Sequence, residues 1–331
     1  MFCEMDPPIE VSVVRINSSR WILGSLIVCE KVDDPDSKPA DAIADWQDGD
    51  STFYLRKRWA NESSKGDVDA DRIHVGGTSS AVWCLAGNAF CKVHAWCQGL
   101  GPEADNIRFV RDKAPAVPIP ALVHAWIDHD LNRTFLITKR VEGQTLERAW
   151  PQLSLDQRTQ IAHEMARFCV TLAANTSSRF ETVTGCGVYE PRLMESAPQS
   201  HPTWRPRTLG PFSQEALHDY MTNISTSPAP DIDPQFHFYH ADLGPTNIMV
   251  SEVHGDRVTV TGIIDWESAA YYPRFWVATK PVTAGAFYLE CETDEPKLWG
   301  QLLGQALETN GYERLDTAFR SWNGPVRGDS C

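Results

Sequence analysis

Two polar clusters, His240-Ala241-Asp242-Leu243-Gly244-Pro245-Thr246-Asn247 and Ile263-Ile264-Asp265-Trp266-Glu267, constrain this chain more than any other stretch. Phe236 to Tyr239 precede the first cluster, Ile248 to Val250 follow it, and Val258 to Ile264 lead into the second. Each cluster is therefore expected where a buried strand ends, and the loops that leave strands are where sites are built.

An H-x-D-x-x-x-x-N loop supplies one carboxylate and one side-chain amide, and an Asp after the next strand adds a second carboxylate. Phosphoryl transfer from a magnesium nucleotide needs that set: a base beside the acceptor hydroxyl and two oxygen ligands holding metal against the donor phosphates. Asp242 is the candidate base, and Asn247 and Asp265 are the candidate metal ligands. Asp and Asn also cap turns, and for either residue alone capping would be the better account. Two spaced clusters with strand-like flanks favour the site.

The run from Phe236 to Lys280, with "HADLGPTNIMV", "GIIDWE" and "AAYYPRFWVATKP", resembles the aminoglycoside phosphotransferase-like family of the protein-kinase-like superfamily, especially its fungal-type small-molecule kinase branch. Asp-Trp-Glu stands where protein kinases carry Asp-Phe-Gly, and Ala241 rather than Arg follows the motif His. Both departures point towards small-molecule kinases. The resemblance implies an α+β, two-lobed protein-kinase-like fold, ATP as co-substrate and Mg2+ as cofactor. Sites rather than folds decide chemistry.

At 331 residues with 42% hydrophobic content, the chain is long enough for two lobes with ample core. Thirty basic against 44 acidic residues give a net charge of −14, which argues against a nucleic-acid or anionic-membrane surface. A cationic acceptor would suit that charge, although acidic surfaces also serve solubility. Nine cysteines, an odd count with no C-x-x-C pair, fit reduced thiols in a cytoplasmic protein better than disulfides or a zinc site. The start, MFCEMDPPIE, lacks the features of a secretory signal, and Trp21 to Cys29 is too short to span a bilayer.

Residues 1–71 read as an N-terminal extension packed on the first lobe, with strand-like runs at Val11 to Val14 and Trp21 to Val28 around an acidic stretch, Asp33 to Asp50. Residues 72–140 read as the nucleotide-covering lobe, and 141–331 as the catalytic and acceptor-binding lobe. Ile73 to Val93 reads as strand, glycine-rich loop, strand, turn, strand. Gly77 and Ser79 would let backbone amides and a hydroxyl approach phosphates closely. Lys92 is charged in an otherwise apolar strand, which is costly unless paired. The resemblance assigns it to the α- and β-phosphates, with Glu103, opening a helix after Pro102, as its partner. The competing account is a lysine snorkelling from an edge strand. Lys139 and Val141 mark the crossing between lobes, where the family's adenine contacts are made by backbone.

Ser154-Leu155-Asp156-Gln157 is a capping box opening a helix with Ile161, Met165, Phe168, Cys169 and Leu172 on one face, and His163 and Glu164 turned to solvent. The long polar stretch from Asn175 to Pro234 carries Tyr189, Trp204 and Arg205 and is expected to contribute to acceptor binding. Tyr271 to Trp276 reads mainly as core, and Leu298 to Leu307 as a helix stopped at Asn310-Gly311.

The expected activity is transfer of the γ-phosphate of ATP to a hydroxyl of a small molecule, with His240 bracing the loop and Glu267 beside the metal site. A pseudokinase that binds nucleotide without catalysis competes with it, as does a metal hydrolase built on Asp242 and Asp265. The hydrolase leaves Lys92 and the glycine-rich hairpin unexplained. The acceptor, the choice of nucleotide and the oligomeric state are not legible.

Overall fold

The computed structural model describes residues 8–34, 37–253, 257–290 and 295–327. Cys3, Cys291 and Cys331 lie outside them, and the described cysteines, at 29, 84, 91, 97, 169 and 186, are free thiols. Among the described residues no helix is long and apolar enough to cross a membrane. The described residues within 1–98, 121–140 and 200–206 form one compact unit, and those within 99–120, 141–199 and 207–331 a second. Residues 99–120 thus group away from the rest of the segment 72–140.

The first unit holds two antiparallel sheets. One contains β1 (Val13–Asn17), β2 (Arg20–Leu23), β3 (Ile27–Val32), β4 (Ala44–Asp48) and β5 (Ser51–Lys57), in the order β1-β2-β3-β5-β4. The other contains β6 (Arg72–Gly76), β7 (Ser80–Leu85), β8 (Ala89–Ala95), β9 (Leu122–Asp128) and β10 (Arg133–Lys139), in the order β6-β7-β8-β10-β9. Side chains alternate faces along a strand, so Trp21, Leu23, Phe53 and Leu55 of one sheet share a core with Trp83, Leu85, Cys91, Val93, Phe135 and Ile137 of the other. Burying each large apolar side chain is worth about 1.5–3 kcal/mol. The sequence reading caught β1 to β3 in part, but residues 1–71 supply a whole sheet of this sandwich.

On the far face of the first sheet, the Arg56 guanidinium bonds Glu30 at 2.7 Å and Glu62 at 2.6 Å. These pairs hold both carboxyls below their usual range against the opposing effect of burial, and they let charged residues cover that face.

The second unit begins with α1 (Glu103–Lys113). Next come the short α2 (Leu146–Ala149) and α3 (Leu155–Ala173), whose capping box is complete: Gln157 N–H bonds Ser154 Oγ and Ser154 N–H bonds Gln157 Oε1. Ile161, Met165, Cys169 and Leu172 are buried as the helical spacing predicts. Glu164 is half-buried rather than turned to solvent, and accepts the Val260 N–H at 3.3 Å. α4 (Gln214–Asn223) interrupts the long polar stretch.

Two three-stranded sheets carry the polar clusters. β11 (Gln144–Thr145), β14 (Ile248–Val250) and β15 (Val260–Ile263) form one, and β12 (Thr176–Ser177), β13 (Phe236–Tyr239) and β16 (Ala270–Pro273) the other. α5 (Arg274–Thr283), α6 (Leu298–Thr309) and α7 (Asp316–Arg327) complete the unit. The aromatic run is core, with Tyr272, Phe275 and Trp276 buried.

Candidate active site

β13 is buried throughout and delivers the chain to His240, which is itself fully buried. The two ring nitrogens of His240 face different partners: Nδ1 accepts the Asp242 N–H at 3.2 Å, so Nε2 carries the proton and donates to the Ile264 carbonyl at 3.0 Å. One imidazole thereby ties the first polar cluster to the second. Its edge also packs on the Trp266 indole, 4.5 Å between centroids. With both nitrogens committed, His240 braces the loop and has no free proton to exchange.

The loop is fastened at further points. Asn247 Nδ2 donates both to the Asp242 carbonyl and to Asp242 Oδ2, each at 3.0 Å, which turns Asn247 Oδ1 away from that carboxylate. The Ile264 N–H bonds the Asn247 carbonyl at 2.9 Å, and Trp299 Nε1 bonds the Leu243 carbonyl at 2.9 Å. Gly244 is required by close approach, because a Cβ there would lie 2.3 Å from the Ala286 carbonyl oxygen. Ala241 and Asp265 both sit at positive φ, +64° and +65°, where a non-glycine residue costs ~1–3 kcal/mol that the surroundings must hold.

Asp265, Glu267 and Glu103 bring carboxylate oxygens within 4.8 Å of one another. Glu103 Oε1 also accepts the Trp266 N–H at 2.9 Å. Glu103 opens α1 as expected, but it lies in the second unit while Lys92 lies in the first. Lys92 sits mid-way along β8, opposite Val82 on β7 and Leu136 on β10, on the face away from the sandwich core. That position excludes snorkelling from an edge strand, since β8 is paired on both sides.

Gly77 adopts φ +59° at the tip of the β6–β7 hairpin, with open space where a Cβ would be, and Ser79 follows in the same turn, its N–H 3.4 Å from the Gly76 carbonyl. Lys139 ends β10 with its N–H bonded to the Ala121 carbonyl at 2.8 Å. Val141 packs in the second unit on Gly262, where a Cβ would come within 2.5 Å of Val141 Cγ1. Tyr189 is half-buried, and its phenol is pushed up by burial and then by Glu267, Glu190, Asp242 and Asp265, which places it among the site carboxylates. Trp204 and Arg205, expected alongside it, belong to the first unit.

Sequence reasoning missed Glu190 and Lys280. Glu190 is 1% exposed; its Oε2 accepts from Lys280 Nζ at 2.5 Å and from Trp276 Nε1 at 3.2 Å. Asp242 responds to both. Burial above all, with Asp265, Glu190 and Glu267 adding to it and Lys280 pulling the other way, leaves its carboxyl raised to about 6. A carboxylate displaced that far sits in the range useful to a general base near neutral pH.

The model of the phosphotransferase enzyme family (APH) matches residues 76–276, more than half of the chain. The chain belongs to this family. Its fold is α+β as expected, antiparallel sheets combined with helices. Among solved structures, this phosphotransferase-family chain is similar to an aminoglycoside-3'-phosphotransferase of type VIII (15% identity, TM-score 0.45, 77% of this chain and 92% of that one). It is also similar to the GDP complex of aminoglycoside 2'-phosphotransferase-IIIa (19% identity, TM-score 0.44, 77% and 82%). A third likeness is to the streptomycin-ATP-APH(2")-IIa ternary complex (15% identity, TM-score 0.45, 75% and 79%). No curated protein matches the sequence.

Proposed function

We propose that this phosphotransferase moves the γ-phosphate of ATP to a hydroxyl of a small molecule, with Asp242 as base. The observation that carries this is the Asp242–Asn247 contact, in which the amide nitrogen of Asn247 fixes Asp242 and leaves the amide oxygen for a cation. The acceptor O–H gives its proton to Asp242 as the acceptor oxygen bonds the γ-phosphorus. The bond from that phosphorus to the β–γ bridging oxygen then breaks, and ADP leaves.

Asp265 and Glu267, whose carboxylate oxygens cluster, and Asn247, through the amide oxygen turned away from Asp242, offer hard oxygen donors of the kind magnesium takes. Magnesium held there would neutralise charge on the donor phosphates. Gly77, Ser79 and Lys92 are the donor-phosphate residues of the first unit. At the crossing, Lys139 offers the base its carbonyl, because its N–H is already bonded, and Val141 offers its N–H.

The carboxylates around Asp242 and the net charge of −14 favour a cationic, hydroxylated acceptor, with Tyr189 against it. The free thiols suit a reducing, cytoplasmic setting. ADP release should be measured with magnesium-ATP against a panel of hydroxylated amines, sugars and secondary metabolites. Release that depends on one acceptor class supports the assignment. Tight magnesium-ATP binding with no transfer to any member, and no turnover above the buffer rate, would favour the non-catalytic nucleotide binder instead.

Lys92→Met keeps the aliphatic stem and removes the charge. Nucleotide affinity should fall roughly tenfold, ~1.4 kcal/mol, while the melting temperature stays near that of the parent, because Lys92 faces away from the sandwich core. A collapsed melting temperature with normal turnover of the folded fraction would make the lysine structural.

A further inference from the structure

We infer that Asn106, on α1, is a positioning residue for Asp265. The inference rests on the assignment of Asp265 as a metal ligand. Glu103 and Asn106 stand three residues apart on α1 and so share a face. Glu103 Oε1 accepts the N–H of Trp266 at 2.9 Å, and Asn106 Nδ2 donates to the carbonyl of Trp266 at 2.8 Å. A single helical turn therefore holds both backbone polar groups of the residue that follows Asp265.

The residue that precedes Asp265 is held as well. Ile264 gives its N–H to the Asn247 carbonyl and receives the His240 Nε2–H on its own carbonyl. The Trp266 indole is fully buried and bonds the Ile263 carbonyl at 2.7 Å. Asp265 is left between two fixed neighbours in the left-handed region, φ +65° and ψ 62°. Such a backbone persists in a non-glycine residue only when its surroundings over-determine it; the following carbonyl is held by the Ala269 N–H at 3.1 Å from within its own turn and by Asn106 at 2.8 Å from α1.

Asn106 is a poor choice for stability alone. It is 2% exposed, and its Oδ1 has no hydrogen-bond partner among the described residues. A buried acceptor left unpaired costs free energy that an apolar side chain of similar shape does not. The bond to Trp266 is what the amide supplies and an apolar residue cannot.

The test is the magnesium concentration that half-saturates nucleotide binding, followed with a fluorescent ATP analogue, for Asn106→Leu, Asn106→Gln and Asp265→Asn. Expected is a five- to tenfold higher midpoint for Asn106→Leu, a smaller rise for Asn106→Gln, which keeps a displaced amide, and unchanged nucleotide affinity in EDTA. Asp265→Asn should raise the midpoint most. If Asp265→Asn raises it and both folded Asn106 variants leave it unchanged, the positioning role is overturned, whatever their melting temperatures. If Asp265→Asn itself leaves it unchanged, the metal assignment fails and the positioning role with it. Should Asn106→Leu not fold, Asn106→Gln decides.

Discussion

Replacing Asp242 by Asn should cut turnover by about 10² to 10⁴, the usual contribution of a positioned base, while raising the melting temperature at neutral pH. The two effects share one cause. Burial and the carboxylates of Asp265, Glu190 and Glu267 push Asp242 up to about 6 against the pull of Lys280. A carboxyl whose folded value lies above its unfolded one contributes stability that is fully present below the unfolded value, 3.8, and lost as pH rises through about 6. At pH 7 to 8 the ionised side chain therefore costs the fold up to ~3 kcal/mol, and Asn removes that cost. The advantage of the variant should be largest above pH 7 and gone below about pH 4, measured without magnesium or nucleotide. Asn keeps an oxygen for Asn247 Nδ2, so the loop geometry survives. Magnesium-ATP affinity should hardly change. A turn-capping Asp would leave the variant active, since Asn caps as well as Asp. A hydrolase ligand would leave the metal site empty. Near-normal phosphorylation by the variant would end the mechanism.

What was legible in the sequence had local causes. The capping box at Ser154 and the helix opened by Glu103 after Pro102 are written within a few residues, and so are the apolar runs that became β13, β14 and β15. Failures trace to local signals that mislead. β4 and β5 are joined at Gly49-Asp50, with Asp48 opposite Ser51, a hairpin signal hidden because Asp, Gln, Thr and Arg side chains occupy the face away from the core. α7 carries Gly324-Pro325, which argues against a helix, yet Phe319 and Trp322 are fully buried one turn apart and hold it in place. The pair of Glu190 and Lys280 spans 90 positions with no pattern to announce it. Only the fold brings together a glutamate from the polar stretch and a lysine from an apolar helix.

That pair should give the largest stability change of any single substitution near the site. Lys280→Met leaves the Glu190 carboxylate buried without its ammonium, and a broken buried pair typically costs ~3–5 kcal/mol. Glu190→Leu should cost as much, because it strands the Lys280 charge, the Trp276 Nε1–H and the Arg192 N–H, which Glu190 Oε1 accepts at 3.1 Å. Replacing both at once removes the two charges together, and a buried pair exchanged for apolar residues of similar volume is often neutral. The double variant should therefore be more stable than either single one, with a coupling of at least ~2 kcal/mol in urea denaturation. Turnover separates packing from function. Lys280 is the cation that opposes the push on Asp242 from Asp265 and Glu267, so the double variant, which still lacks the acceptor for Trp276 Nε1–H and the Arg192 N–H, should remain folded yet need higher pH to reach its maximal rate. Single variants within ~1 kcal/mol of the parent would mean that the pair is solvated and weak. A refolded double variant with an unchanged pH profile would mean that it stabilises the fold and does nothing for Asp242.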